Sequence, residues 1–324
     1  MANSTSQNSN NDTGVSKTTT WRDYFDLCKP KVVALLLLTS VVGVVLASPP
    51  GDISIFILLM STLGIGLGSA AGAAINQIVE RESDARMART ENRPLPQGRV
   101  SQQNAFIFAV LMAVASVFVL TAWINTLTAV LTFASMIGYA VVYTMYLKKA
   151  TPQNIVIGGL AGATPPLLGW TSVTGSIDPH GLLLVLIIYT WTPPHFWALA
   201  IHRRDDYAKV NLPMLPVTHG IEFTKYSILG YTILMFMVTL LPYLAYMRGE
   251  LYLVSAVLLG LYFFYKVFML MFSDRKNAAI STFVYSINYL MLLFIAMVID
   301  HYFADSVSQY LCQSFQYKCF YIQS

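Results

Sequence analysis

Long apolar runs separated by short polar breaks dominate the chain. About nine of them approach the roughly 20 residues that a helix needs to cross a bilayer. They lie near 31–48, 53–75, 103–122, 126–147, 154–173, 181–201, 226–247, 251–272 and 280–303. The pattern predicts an all-α, polytopic membrane protein of about nine transmembrane helices. Most connections are short, so sequence neighbours should pack antiparallel. Two are long, 76–102 and 202–225. They follow the second and sixth runs, which hints at two four-helix halves plus a ninth helix.

Composition agrees with the pattern. Hydrophobic residues make up 56% and charged residues 11%, against about 25% charged in soluble domains. That excludes a soluble enzyme of this length. The net charge of +4, with no basic stripe or zinc finger, gives nucleic acid no binding surface. The cations are sided. Arg22, Lys29 and Lys31 precede the first run; Arg81, Arg86, Arg89, Arg93 and Arg99 fill the first long loop. Lys148 and Lys149, then Arg203, Arg204, Lys209 and Lys225, then Arg275 and Lys276 follow on the same side. The opposite connections near 49–52, 122–126 and 174–180 have none, and only Arg248 and Lys318 depart. Cytoplasmic loops retain Lys and Arg, so the expected topology has the N-terminus and both long loops in the cytoplasm and the C-terminus outside.

Residues 1–21 are rich in Asn, Ser and Thr and lack signal- or transit-peptide character. They are expected to be a disordered cytoplasmic tail. Residues 304–324 form an extracytoplasmic tail in the same scheme. Cys312 and Cys319 would there face an oxidising compartment and can pair. With Cys28 they make three cysteines in no metal-binding spacing.

Seven of the 16 carboxylates sit in the two long loops: Glu80, Glu82, Asp84, Glu91, Asp205, Asp206 and Glu222. Ionisable groups where apolar helices emerge mark a site. Asn76, Glu80 and Asp84 are spaced by four, so on a continued helix they share one face. Oxygen donors of this kind suit magnesium, which takes one or two carboxylates and completes its shell with water and phosphate. Arg86, Arg89, Arg93 and Arg99 follow, and a guanidinium grips phosphate in bidentate fashion. The preceding Gly64, Gly66, Gly68 and Gly72, with neighbouring alanines, allow close helix approach. In the second loop, His195, His202 and Asp206 are seven and four apart and would share a face on one continuous helix. Pro193 and Pro194 are expected to disturb that helix. Asp205 and Asp206 can take a second metal, and Arg203, Arg204 and Lys209 can hold a diphosphate. Thr164-Pro-Pro166 and Leu212-Pro-Met-Leu-Pro216 read as breaks, the second shaping a cytoplasmic lid.

The stretch Asn76-xxx-Glu80-xxx-Asp84-xx-Met87-x-Arg89-Thr90-xx-Arg93-Pro94-xxx-Gly98 resembles the signature of the UbiA-type intramembrane prenyltransferases. Pro194-His195-Phe196-Trp197-Ala198-Leu199-Ala200, then Arg203, Asp206-Tyr207 and Pro213-Met-Leu-Pro216, is similar to the heme O synthase branch. The resemblance covers about 22–303. Glu80 stands where the family often has Asp, and Ser83 where it usually has a large apolar residue. It implies nine helices around a central cavity open to the membrane. It also implies transfer of farnesyl from farnesyl diphosphate to a heme B vinyl group with two Mg2+ ions, and water addition that leaves a hydroxyethylfarnesyl side chain. In that scheme Asn76, Glu80 and Asp84 hold one metal and Asp205 with Asp206 the other. Arg89, Arg93 and Arg203 contact phosphate, and His195 ligates or orients heme. The location implied is a bacterial inner membrane, in contact with lipids and upstream of a heme-modifying enzyme or terminal oxidase. The rival readings are a sister enzyme prenylating an aromatic quinone precursor, a secondary transporter and a non-catalytic heme-assembly protein. A transporter would carry its charge near the midplane, whereas here it gathers at helix ends.

Overall fold

In the computed structural model, placement is described for residues 19–272 and 277–314, with side chains to residue 303. Residues 1–18 of the expected N-terminal tail, Arg275 and Lys276, and the pairing of Cys312 with Cys319 lie outside the described residues; the tail expected to 21 ends earlier, since Thr20 caps α1 and Trp21 opens it. Helices account for most of the described residues, and no strand occurs among them. In chain order they are α1 (Trp21–Leu27), α2 (Pro30–Ala47), α3 (Ile55–Asp84), α4 (Gln102–Trp123), α5 (Thr126–Ile137), a π-helix (Gly138–Leu147) and α6 (Lys148–Ala150). Then come α7 (Asn154–Ala163), α8 (Pro165–Thr174), α9 (Pro179–His202), α10 (Arg204–Lys209), α11 (Leu215–Thr218), α12 (Gly220–Leu244), α13 (Glu250–Phe272) and α14 (Ala278–Ser314).

Eight helical stretches among the described residues are long and apolar enough to cross a membrane. One of them is the continuous run Thr126–Ala150, through the π-helix. The ninth expected run, 154–173, is instead two ten-residue helices, α7 and α8. The split falls at Thr164, because Pro165 and Pro166 have no N–H to continue the ladder. The prolines in α9 behave differently: Pro193 and Pro194 sit inside an unbroken helix. α14 runs on past the expected end at 303, to Ser314.

Small residues set the closest approaches. A Cβ on Gly43 of α2 would stand 2.0 Å from the Pro166 carbonyl oxygen, and one on Gly169 of α8 1.9 Å from the Ser40 carbonyl oxygen. The two backbones therefore touch, which only glycine permits. On α3, the Ser116 hydroxyl of α4 donates to the Gly64 carbonyl at 2.7 Å. Large apolar side chains such as Phe106, Leu111, Val114 and Phe118 of α4 point outward and are exposed, as expected of a surface that faces lipid rather than water.

Candidate active site

The first acidic cluster is built as the spacing predicts. α3 does not stop at the end of its apolar run but continues to Asp84, so the predicted loop at 76–102 begins as helix. Asn76, Glu80 and Asp84 lie on its inner face and all three are buried. The chain then turns. The Thr90 hydroxyl donates to the Asp84 carbonyl at 2.9 Å, and the Arg93 guanidinium returns to the Asp84 carboxylate, Nη1 to Oδ2 at 2.6 Å. Helix α1 braces this turn from outside. Arg99 pairs with Asp23 at 2.7 Å, and Gln77 donates to the carbonyls of Asp26 and Leu27. The Asp23 carboxyl is held below its ordinary range, first by the Thr20 N–H and then by Arg99, against the opposing effect of burial.

Two lysines complete the cluster. The Lys29 ammonium donates to Asn76 Oδ1, and the Lys148 ammonium to Glu80 Oε1. Burial pushes Lys29 down to about 7, against the pull of the Glu80 carboxylate. Asn76 is fixed from its other side by Thr144, whose hydroxyl accepts from Nδ2 at 3.0 Å. Thr144 and Lys148 come from the π-helix and the turn just after it. π-Helical segments are rare and concentrate at functional sites. This one also stacks Tyr139 on Tyr143, ring centres 5.9 Å apart, and both rings lie within electrostatic reach of Glu80.

The second loop is only partly as predicted. α9 ends at His202, Arg203 leaves helical geometry, and α10 starts afresh at Arg204. The continuous face through His195, His202 and Asp206 therefore stops at His202, which is exposed. Asp206 is paired with Arg203 at 3.5 Å and with Lys209 at 3.9 Å. Asp205 is exposed, and Arg204 Nε donates to the Pro216 carbonyl at 3.0 Å, not toward the acidic cluster. That bond ties the Leu212–Pro216 segment down: Leu212, Met214 and Leu215 are buried in the core. The link between the loops is Tyr207. Its hydroxyl lies within electrostatic reach of Glu80 and Arg89 from the first loop and of Arg203 and Asp206 from the second. Burial raises it, and the two arginines oppose the rise.

A cavity of about 380 Å³ runs inward from Lys29. Its walls are apolar, and the Tyr139–Tyr143 pair, Trp191, His195 and Phe196 line it. His195 is sandwiched between Trp191 (4.2 Å between ring centres) and Phe283 (4.6 Å). Its Nδ1 lies 2.6 Å from Ser286 Oγ. Ser286 has one hydroxyl hydrogen, and the Phe283 carbonyl takes it at 2.6 Å. Ser286 must then accept from His195, which fixes the Nδ1–H tautomer and leaves the Nε2 lone pair bare.

The donor set fits magnesium. Asp84 Oδ1 is buried without any hydrogen-bond partner, an arrangement that costs about 1–3 kcal/mol unless a cation or donor takes it up. Asn76, Glu80 and Asp84 supply one amide and two carboxylates, which magnesium can use when water and phosphate fill the remaining positions. Among the described residues no group of three or more His, Cys, Asp or Glu side chains converges, so a metal here would rest on the two carboxylates and the amide alone. Chemically, the arrangement places oxygen donors and cations (Lys29, Lys148, Arg93) at the mouth of a greasy pocket. It can hold a polyanionic head outside and an apolar chain inside. Lys29, Lys148, Thr144, Tyr207 and Ser286 are the site residues that sequence reasoning did not assign.

The UbiA prenyltransferase family model matches residues 36–298. Among curated relatives, the protoheme IX farnesyltransferase of Hahella chejuensis is 57% identical over 288 residues, covering 89% of this chain and 96% of that protein. That of Colwellia psychrerythraea is 58% identical over 282 residues, 87% and 92% of the two chains. Among solved structures, one of a digeranylgeranylglyceryl phosphate synthase superposes with a TM-score of 0.73 at 18% identity, covering 87% of this chain and 98% of that one. A UbiA homologue from Archaeoglobus fulgidus bound to DMAPP and Mg2+ gives 0.61, also at 18% identity, over 85% and 99%. The structural likenesses carry the fold; the family model and the long relatives carry membership, and this chain belongs to the UbiA prenyltransferase family.

Proposed function

We propose that the protein transfers a farnesyl group from farnesyl diphosphate to a vinyl group of heme B, in a bacterial inner membrane, with residues 22–303 as the catalytic unit. The observation that carries the reading is one apolar cavity lined by two unlike polar groups. One is Lys29, bonded to Asn76 of the acidic cluster. The other is His195, whose Nδ1 is turned to Ser286. An aromatic quinone precursor has no use for a bare imidazole nitrogen, whereas heme iron does. The identity of 57% with a protoheme IX farnesyltransferase over nearly its whole length points the same way.

Asn76, Glu80 and Asp84 would hold a first magnesium ion and Asp206, with Asp205, a second. When bound, the metal neutralises the diphosphate so that it can leave with the electrons of the C–O bond. The chain's own groups do the rest. Lys29 and Lys148, bonded to Asn76 and Glu80, would stand as cations beside the diphosphate. Arg89, Arg93 and Arg203 offer planar donors to its oxygens, and Lys209, beside Asp206, adds a further cation; Arg204 is engaged with the Pro216 carbonyl instead. Fixed cations aimed at developing negative charge act as preorganised electrostatic stabilisation. The Tyr139 and Tyr143 faces stand next to the carbon that becomes positive, where their ring quadrupoles attract it. His195 holds heme through Nε2 so that a vinyl group meets that carbon.

The test is heme extracted after incubating the protein, in nanodiscs, with heme B and farnesyl diphosphate. The expected result is a heavier, more apolar heme that requires Mg2+. Unchanged heme B, with prenyl transfer to an aromatic acid instead, would overturn the reading.

A further inference from the structure

Asn154, the first residue of α7, is fully buried and touches no member of the acidic cluster directly. Its side chain reaches the cluster through one intermediary. The Nδ2 amide group donates to the Lys148 carbonyl at 3.1 Å, and Lys148 is the residue whose ammonium donates to Glu80 Oε1. The turn between them is closed on both sides. The Asn154 N–H meets the Thr151 carbonyl at 3.2 Å, and the Thr151 N–H meets the Leu147 carbonyl at 3.4 Å. The last carbonyls of a helix have no partner within it. Here the carbonyl of Lys148 is taken by a side chain from the next helix.

The orientation of that amide is fixed by chemistry. A carbonyl only accepts, so Asn154 must present its NH2 to Lys148. Its own oxygen is then left buried, with no hydrogen-bond partner among the described residues. An orphaned buried oxygen is costly, and an apolar side chain in its place would avoid that cost. Packing therefore does not account for an asparagine here, whereas the Lys148 carbonyl does.

What the bond holds is the winding that ends just before Lys148. The π-helix runs over Gly138–Leu147. Midway along it, the Thr144 hydroxyl donates to the Tyr139 carbonyl, five positions back, at 2.8 Å and accepts from the Asn76 amide. Thr144 thus pins the middle of the π-wound segment, and Asn154 pins its end. Rewound at the α-helical period, the segment would carry Lys148 about half a turn away from the wall that Tyr139 occupies.

We propose that Asn154 is a positioning residue, which acts through the Lys148 carbonyl to keep the Lys148 ammonium aimed at Glu80. The role rests on the reading of the acidic cluster as a magnesium–diphosphate site. Lys148 competes with the metal for Glu80 before substrate binds and stands beside the diphosphate afterwards, so loosening its aim should act on both steps.

The variants are Asn154→Leu, Asn154→Ala, Lys148→Ala and each Asn154 change combined with Lys148→Ala, all as the full chain in nanodiscs. Mn2+ binding to the substrate-free protein is followed by electron paramagnetic resonance, and farnesyl transfer is measured at saturating Mg2+. Each single Asn154 variant should bind Mn2+ about fivefold more tightly than the wild type and transfer about fivefold more slowly, the effect of one hydrogen bond of ordinary strength. Heme binding, read from the Soret band, should stay at the wild-type level. With Lys148 already replaced by alanine, the same Asn154 changes should move neither quantity, because residues that act as a unit do not add. Mn2+ affinity unchanged or weakened in the Asn154 variants would overturn the proposal, as would effects that add to those of Lys148→Ala or a parallel loss of heme binding. Failure of both Asn154 variants to fold would overturn it too, since Asn154 would then serve the fold and not the aim of Lys148. A wild type that binds no Mn2+ would overturn the metal reading itself, a separate outcome.

Discussion

Asp84 is the residue on which the metal-binding argument can be tested with the smallest perturbation. Its side chain is 1% exposed, one oxygen pairs with Arg93, and the other has no hydrogen-bond partner among the described residues. Asp84→Asn keeps shape and volume but removes the charge. The amide must turn its oxygen to Arg93, which places an NH2 donor where the free carboxylate oxygen had been, and a donor cannot ligate a cation. A hydrogen bond to a charged group contributes about 1.5–3 kcal/mol, and each 1.4 kcal/mol is a factor of ten. Losing one charge-assisted ligand should therefore raise the Mg2+ concentration for half-maximal transfer by roughly 10- to 150-fold. Saturating Mg2+ should recover part of the rate. The measurement is farnesyl transfer across a magnesium titration, with Mn2+ binding to the substrate-free protein, followed by electron paramagnetic resonance, as the independent readout. An Asp84→Asn protein with wild-type midpoints in both would refute the assignment of Asp84 as a ligand.

Other consequences are as concrete. Lys148→Ala and Lys29→Ala should tighten Mn2+ binding to the substrate-free protein, since each removes a cation that competes for a ligand oxygen, while slowing transfer at saturating Mg2+. His195→Ala should weaken heme binding, read from the Soret band, by about tenfold or more and leave farnesyl diphosphate binding intact. Ser286→Ala should show the same defect in milder form, because it frees the tautomer. Gly169→Ala should lower the yield of folded protein sharply, since its Cβ would collide with the Ser40 carbonyl at 1.9 Å. Reporter fusions after residues 98 and 220 should read cytoplasmic and those after 175 and 305 outside; a cytoplasmic signal at 305 would refute the one-sided reading of Lys and Arg.

The first acidic cluster was legible because its signal is local. Three oxygen-bearing residues at intervals of four have to share a face once the helix continues, and α3 does continue to Asp84. The membrane spans were legible for the same reason, and so was the break at Thr164-Pro-Pro166; what was not legible is its consequence, two ten-residue helices in place of one span over 154–173. The second loop was less legible. Spacings of seven and four join His195, His202 and Asp206 only if one helix carries them all, and the helix gives out at Arg203. Long-range pairing was not legible at all. Lys29 meets Asn76 across 47 residues and Lys148 meets Glu80 across 68, and in the sequence both lysines read simply as members of a cytoplasmic cation set. Ser286 fixes the His195 tautomer across 91 residues, and nothing near a lone serine in an apolar run announces that.

Lys148 had a second reason to be missed, and it lies in the helical period. From Tyr139 to Lys148 is nine positions. At the α-helical step of about 100° per residue, the two side chains stand half a turn apart. A reading at that period puts the aromatic pair toward the cavity and Lys148 on the opposite wall, as an ordinary interfacial lysine. The segment between them is wound as a π-helix, whose i→i+5 bonding reduces the step to about 80°. Nine such steps come back to within about 20° of the start, and Thr144 falls about 50° away. Tyr139, Tyr143, Thr144 and Lys148 therefore occupy one sector of the helix, which is why the same element can line the cavity, orient Asn76 and reach Glu80. The unusual winding is what joins the wall of the cavity to the acidic cluster at its mouth. The chemistry at this site depends on a departure from the period by which sequences are ordinarily read.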